Sequence, residues 1–475
     1  MKFAFRSIAI MLLSAICVPF EASAESDAEM IDTARDAYVY GYSLMTNEVT
    51  RVQMTNVPDL SEPQKSPMNF PILVRRYPPA NFRGVSSPNA DTLYSIFWLD
   101  LNEPRIFSYP ANGQRFFLHE IVDHWMIVSP NSPSSMTSGG QAGNVLFTGP
   151  GWNGTVPDDV TEHFSMKTRY MVILSRTYAD GSEEDYKIVN SLQDQMKITP
   201  LSAWGTDYKP PSLPVQVNNN TGISMTDKPI DAILKLGGAG YFEKLAKLMC
   251  DAPPKEEDNK IVSRMASLGL KPCEHFDVTS LPKTVQDAIE KLPQEVLSSF
   301  GAGMGNFGEK TNGWTFTKGL GSYGTDYMKR AVIAAFGWPA NRQEEAVYPF
   351  TTTDSEGESL VGSNSYTLTF ESGQEPPVSG FWSITMYEID NGMWFVDNPL
   401  NKFTISPRDN LQRSDDGSIK LYLQSDSPGK ENEANWLPSP DGKPFEVMLR
   451  MYGPNQKSPS IFDKSWAPPQ IIKVQ

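Results

Sequence analysis

Apolar residues in this chain recur with two different periods, and the change of period divides it. Between residues 26 and 52, Ile31, Ala34, Tyr38, Tyr42 and Met45 return every three or four places, and Asp27 stands where a cap would begin the element. This spacing predicts an amphipathic helix within residues 25–56, docked on the domain that follows. Val57 to Pro79 is Pro-rich and irregular. From Arg83 to about Trp204 the apolar runs become short and are split by Pro, Gly, Asn and Asp, the pattern of an antiparallel sandwich or jelly roll. Asp91–Leu99 is apolar at alternate positions in either register, Arg115–Val128 behaves alike, and Met171–Leu174 is a further run. Such strands are expected to be buried on both faces.

Helical spacing returns between residues 226 and 300, where Ile230, Ile233, Leu234 and then Phe242, Leu245, Leu248 share one face and Val285, Ile289, Leu292 another. A second β region follows, with strands predicted at Ser365–Phe370, Phe381–Glu388, Ile419–Gln424 and Phe445–Tyr452. The fold class read from these periods is mainly β with helical insertions (α+β), with two jelly-roll-like antiparallel β-sandwich domains joined by a helical segment. The first sandwich takes residues 57–225, a helical and Gly-rich connector 226–346, and the second sandwich 347–475. Gly380–Glu388 faintly echoes Arg115–Asp123, each with two aromatics, a mixed strand and a closing carboxylate. Common ancestry and chance both account for that echo.

The first residues bear on the compartment. Lys2 and Arg6 flank a basic start, Ile8–Phe20 is apolar, and Ala22-Ser23-Ala24 is a small-residue cleavage site, so a signal peptide over residues 1–24 is expected. A membrane anchor fits less well, because Ser14 and Pro19 interrupt a run already short of the roughly 20 residues a spanning helix needs. A lipoprotein site at Cys17 would want a smaller predecessor than Ile16. The mature protein is therefore expected in the periplasm or secreted, with no transmembrane span. The whole chain carries a net charge of −15, and loss of the leader makes it slightly more negative. No basic run exists to track a phosphate backbone, which argues against a nucleic-acid partner. Of the 3 cysteines only Cys250 and Cys273 would survive processing, an even pair suited to a disulfide in an oxidising space, although two buried thiols also fit.

Pro88-Asn89-Ala90-Asp91-Thr92-Leu93-Tyr94-Ser95, Gly149-Pro150-Gly151-Trp152, Arg176-Thr177 and Leu192-Gln193-Asp194-Gln195 resemble the domain of unknown function numbered twelve-fifty-four. Phe381–Tyr387, Asp416-Gly417-Ser418, Asn435-Trp436-Leu437-Pro438 and Arg450–Pro454 resemble its partner, numbered twelve-fourteen. This resemblance to the tandem family covers nearly the whole mature chain. It implies a pair of jelly-roll-like domains with helices between them, commonly in exported bacterial proteins, and it brings no catalytic residues to carry over.

Candidate chemistry thus has to come from residue types. His119, Glu120 and His124 form the sole close histidine pair with a carboxylate, but the second histidine is one place late for a zincin helix. On a strand, Glu120 and His124 share one face, and His119 and Asp123 the other, each pair about 13 Å apart at about 3.3 Å per residue. A divalent metal there would need further ligands, such as His163; core or surface histidines are the simpler reading. No other cofactor is expected. Gly303–Gly308 and Gly319–Gly324 both match Gly-x-Gly-x-x-Gly, but a dinucleotide site needs a strand before the glycines and a helix after, so they read as a loop. No Gly-x-Ser-x-Gly elbow exists. Asp91, Glu120 and Asp123 could supply a carboxylate pair for glycoside chemistry if burial raised one of them.

Rings and polar turns supply the ligand-binding candidates. Some of Tyr94, Trp152, Asn435 and Trp436 are expected to share one cavity, since aromatic rings in turn-rich segments make platforms for sugars or flat organic ligands. Asn89 and Asp91 either fix a turn or point at a ligand, and Arg176, Arg408 and Arg450 either glue a core or clamp an acidic group. Three readings stay open: an exported protein that binds or processes a small organic or saccharide ligand in a sandwich cleft, a metal-dependent hydrolase, and a non-catalytic envelope interaction module.

Overall fold

The computed structural model describes residues 26–304, 307–390 and 392–474. The leader read over residues 1–24 lies outside them. The first helix, α1 (Asp27–Thr55), is capped one residue earlier than expected. Ser26 Oγ accepts from the Glu29 backbone N–H at 3.3 Å while the Glu29 carboxylate accepts from Ser26 N at 2.9 Å, a reciprocal capping box. Asp27 instead sits in the first turn, where a negative charge suits the helix dipole.

The first β unit contains β1 (Pro71–Leu73), β2 (Thr92–Asp100), β3 (Arg105–Tyr109), β4 (Phe117–Asp123), β5 (Gly143–Thr148), β6 (Glu162–Ser165), β7 (Tyr170–Tyr178) and β8 (Lys197–Pro200), with the short α2 (Ser135–Ser138) and α3 (Glu183–Asp194) between strands. They form two sheets, β1-β2-β7-β4 and β6-β5-β3-β8. Phe97, Phe117, Ile121 and Ile173 on the first sheet meet Phe107, Val145 and Phe147 on the second, which makes a sandwich core. The opposite face of the first sheet, with Ile96, Trp98, Val122 and Val172, is buried too, against α1 and Trp338. That double burial explains the absence of a polar alternation in β2 and β4.

A helical layer follows: α4 (Pro229–Leu234), α5 (Gly237–Asp251), α6 (Asn259–Ser267) and α7 (Lys283–Met304), then, after the hairpin β9 (Gly308–Thr311) and β10 (Trp314–Thr317), α8 (Tyr327–Phe336). Helix α1 both packs on the first sandwich, through Met54 and the hydrogen bonds of Asn47 to the Asp123 and His124 carbonyls, and is the axis of this helical layer, so it is not amphipathic. Ala34, Tyr38, Tyr40, Gly41, Leu44 and Met45 are buried on all its sides, because small and aromatic residues fill the places where a surface helix carries charge. At Gly41 a Cβ would lie 2.5 Å from Leu245 Cδ2 of α5, so any larger residue would force that side chain to shift. The Cys250 and Cys273 sulfurs lie at disulfide distance, 2.12 Å.

The second β unit comprises β11 (Ala346–Val347), β12 (Phe350–Thr351), β13 (Ser365–Phe370), β14 (Trp382–Glu388), β15 (Trp394–Phe395), β16 (Thr404–Ile405), β17 (Ile419–Gln424), β18 (Trp436–Pro438), β19 (Phe445–Tyr452) and β20 (Ile471–Val474). An eight-stranded sheet built on β14 and β19 faces β18-β17-β13-β20 across Ile384, Leu421, Val447 and Leu449. Hairpin β9–β10, within the stretch read as a connector, pairs through β10 with β12 and so extends this sheet. The fold is β-rich α+β with sandwich-like sheets, antiparallel but for the pairs β5–β6 and β17–β18.

Candidate functional site

Side chains alternate across a strand, and this alternation decides which residues of the first sheet look toward the second β unit. In the ladder β2-β7-β4, Tyr94 lies opposite Arg176 and Arg176 opposite Leu118, with Glu120 two places along on the same face. On β19, Val447, Leu449 and Met451 enter the second core, so Glu446, Arg450 and Tyr452 take the other face. Ser383 and Tyr387 of β14 lie beside them, opposite Arg450 and Glu446 respectively. The two polar faces meet in a seam between the β units.

Three arginines run along this seam. Arg176 donates from Nη1 to Glu120 Oε2 at 2.9 Å, with Glu120 wholly buried. Arg408 lies 3.4 Å from Asp91 Oδ1 and donates to the Ala90 and Ala179 carbonyls, while Asp91 Oδ2 accepts from Ser383 Oγ at 2.7 Å. Arg450, 4% exposed, donates to the Ser87 carbonyl at 3.1 Å and to the Tyr387 hydroxyl, and stands 4.9 Å from the Tyr348 ring centre. Among the described residues it forms no ion pair. The Nε atoms of Arg176 and Arg450 and Oε1 of Glu120 and of Glu446 are buried with no hydrogen-bond partner among the described residues. Tyr348, beside Arg450, is half-buried.

Burial sets the protonation of the acids. It pushes Glu120 up against the pull of Arg176. Burial and then the charge of Glu120 push Glu345 up to about 7, against a hydrogen bond from Ser134. Burial likewise raises Glu446 to about 7, opposed by Arg450. The Tyr348 phenol is raised by burial and eased by both Arg176 and Arg450, so it lies within electrostatic reach of each.

Of the sequence candidates, Asn89, Asp91, Tyr94, Arg176 and Glu120 gather here, with Arg408 and Arg450. Asn89 fixes the turn, its Oδ1 accepting from the Asp91 and Thr92 backbones, and its Nδ2 donates to the Tyr452 hydroxyl at 2.8 Å across the seam. Asn435 and Trp436 are elsewhere, as fasteners inside the second unit. Asn435 bonds the Gln412 backbone and the Lys420 carbonyl, and Trp436 Nε1 donates to the Gln424 carbonyl at 2.8 Å. Trp152 packs on His163 in the first unit.

The residues read as a metal set point three ways. His119 enters the sandwich core among Phe107, Tyr109 and Phe117, shares a 2.7 Å hydrogen bond with Ser175, and is pushed down to about 3 by burial. Glu120 takes the seam face. His124, beyond the strand, lies 3.4 Å from Glu48 of α1. Strand alternation alone separates the first two, and no group of three or more His, Cys, Asp or Glu among the described residues is arranged to hold a metal. Asp123 faces Lys255 at 3.8 Å instead of joining Asp91 and Glu120.

Gly319–Gly324 does follow a strand, β10, and precede helix α8. The neighbours of β10 are antiparallel, however, so no βαβ unit exists, and Gly321 closes on Val128 through its carbonyl at 2.8 Å. The first glycine motif lies partly outside the described residues. Residues that sequence reasoning missed are Glu345, Tyr348, Tyr387, Glu446 and Tyr452. The period-2 pattern of β19 could have flagged Glu446 as a buried acid; nothing local marks Tyr348.

No described helix is long and apolar enough to cross a membrane. A solved structure, the VPA0106 protein from Vibrio parahaemolyticus, is similar over 94% of this chain and 100% of its own, with 24% identity and a TM-score of 0.67, which supports the fold alone. An uncharacterized protein from Burkholderia cenocepacia aligns over 94% of this chain and 95% of its own at 10% identity and a TM-score of 0.41. Among curated proteins none matches. Residues 68–200 match the family described as "Protein of unknown function (DUF1254)" and residues 345–456 the one described as "Protein of unknown function (DUF1214)". The seam is the surface where these two segments meet, and the chain belongs to the family that carries an N-terminal DUF1254 domain and a C-terminal DUF1214 domain in tandem.

Proposed function

We propose that this is an exported protein that binds a small organic molecule bearing an acidic group, in the seam between its β units. The observation that carries the reading is Arg450. It is a guanidinium almost without exposure, with an unpartnered Nε and no ion pair among the described residues, beside the half-buried ring of Tyr348. Asp91 and Glu446 lie within electrostatic reach of Arg450 but neither forms an ion pair with it, and an incoming carboxylate or phosphate would supply the charge-assisted hydrogen bonds that a buried guanidinium lacks. Tyr94 and Tyr348, both half-buried, would cover the ligand body. Neutral saccharides suit those rings as well, but not the charge, so acidic ligands are favoured. Residence outside the cytoplasm is supported by the leader composition and by the Cys250–Cys273 pair at disulfide distance.

A thermal-shift screen of the mature protein against organic acids, neutral saccharides and divalent metals tests this. A ligand at hundredfold over its Kd stabilises by about 2.7 kcal/mol, which is readily seen. Organic acids should raise the melting temperature of the parent and not of Arg450→Met. Stabilisation by saccharides or metals with no response to acids would refute the reading.

A further inference from the structure

A second concave site lies on the far side of β14 from the seam. Ser383 faces the seam, so its neighbour Trp382 enters the second core, where it is 4% exposed. Trp314 and Trp466 share that core, and each indole donates to a backbone carbonyl, of Pro469 at 2.8 Å and of Gln374 at 3.0 Å. The Trp382 indole N–H has no partner among the described residues. Trp382 lines a cavity of about 400 Å³ with Glu375, Pro407, Asn410, Leu411, Arg413 and Ile419, within the range of about 300–1,000 Å³ that small-molecule sites occupy. The walls are fixed from outside. Arg408 reaches back to the Ala90 and Ala179 carbonyls, Asn435 Oδ1 accepts from Gln412 N at 2.7 Å, and Trp466 grips the turn that carries Glu375. Asn410 holds a left-handed φ of 54° on this wall, and its amide makes no hydrogen bond among the described residues. Arg413 Nη1 meets Glu375 Oε1 at 2.6 Å and donates to the Gly417 carbonyl at 3.0 Å. The Glu375 carboxylate also accepts from the backbone N–H groups of Gly373 and of its own residue.

We propose that this cavity is a separate binding site for a neutral saccharide. Its lining sets donors beside acceptors with no net charge, because Arg413 and Glu375 cancel. The Trp382 N–H calls for an acceptor, yet a carboxylate ligand would meet Glu375 and an ammonium would meet Arg413. A hydroxyl escapes both penalties, since its oxygen can accept from an N–H while its own proton goes to a carboxylate, and Glu375 has four lone-pair sites to offer. Neighbouring hydroxyls suit the Asn410 amide and the Nε and Nη2 of Arg413 in the same way. Pro407, Leu411 and Ile419 supply apolar surface for the C–H face of a sugar ring. The site does not depend on the acid-binding reading of the seam, which lies on the other face of β14.

The indole N–H signals of the isotope-labelled mature protein, read by nuclear magnetic resonance, test this directly. The signal of Trp382 is identified by Trp382→Phe or, if that variant fails to fold, by its contacts with the Phe370 ring, whose centre lies 5.1 Å away. Glucose, galactose, N-acetylglucosamine, maltose and cellobiose are titrated in turn, with 3-phenylpropionate as the acidic comparison. At least one sugar should move the Trp382 signal saturably, and 3-phenylpropionate should not. Asn410→Gly keeps the left-handed backbone and removes only the amide, so it should weaken that sugar about tenfold with little change in melting temperature. If no sugar moves the Trp382 signal, if the acid moves it instead, or if Asn410→Gly leaves the sugar affinity intact, the proposal falls. None of these outcomes bears on acid binding at Arg450, which has its own variant.

Discussion

Glu345→Gln tests the electrostatics of the seam without any ligand. Burial and the charge of Glu120 raise the Glu345 carboxyl from an ordinary 4.5 to about 7. Between those values the native protein holds a proton that the unfolded chain has released. Native stability from this group is therefore full at low pH and is lost as pH rises through the window, by about 1.4 kcal/mol per pH unit at its steepest and about 3 kcal/mol in all. Glutamine is neutral throughout and keeps an acceptor for Ser134. Relative to the parent, the variant should gain about 2–3 kcal/mol of stability between about pH 5 and about pH 8. Urea unfolding followed by tryptophan fluorescence at both pH values reads this as a change in the gap between midpoints. Groups that titrate alike in both proteins cancel. Glu120 does not, but it loses a repelling neighbour in the variant, which acts in the same direction. A gap that is the same at both pH values would mean that the native Glu345 is solvated or already paired, and the argument would fail.

Other substitutions probe the rest of the molecule. Arg176→Met leaves Glu120 buried without its partner and should destabilise by about 3–5 kcal/mol, with part of the loss recovered in the Arg176→Met/Glu120→Gln double variant; equal unfolding midpoints for parent and single variant would exclude a working pair. His119 is pushed down to about 3 from 6.5 by burial, so its contribution is present above 6.5 and drains away as pH falls toward 3. His119→Phe should accordingly gain about 2–3 kcal/mol on the parent between about pH 7 and about pH 4.5, read from unfolding at each pH. Cys273→Ser opens a loop of sequence separation 23 and should cost about 3 kcal/mol, with a loss of similar size when the parent is reduced by dithiothreitol.

The sequence determined much of the local structure by itself. Helix α1, the helices after residue 226, and strands β2, β7, β13, β14, β17 and β19 are all legible because a helix or strand repeats its environment every few residues, and side-chain polarity records that repeat. The helical core around α1 was less legible, since a helix buried on every side has no polar face to betray its orientation. Polar turns such as Asn89-Ala90-Asp91 marked the start of β2, and three arginines stood out in strands or beside them. The tertiary structure alone decided what these residues do. Asp91 meets Ser383 across 292 positions and Asn89 meets Tyr452 across 363, whereas Asn435 and Trp436, equally polar and aromatic in sequence, are spent on local fastening. Periodicity is a property of neighbours along the chain, but the seam is made by two sheets folding face to face, and no local pattern encodes which face meets which.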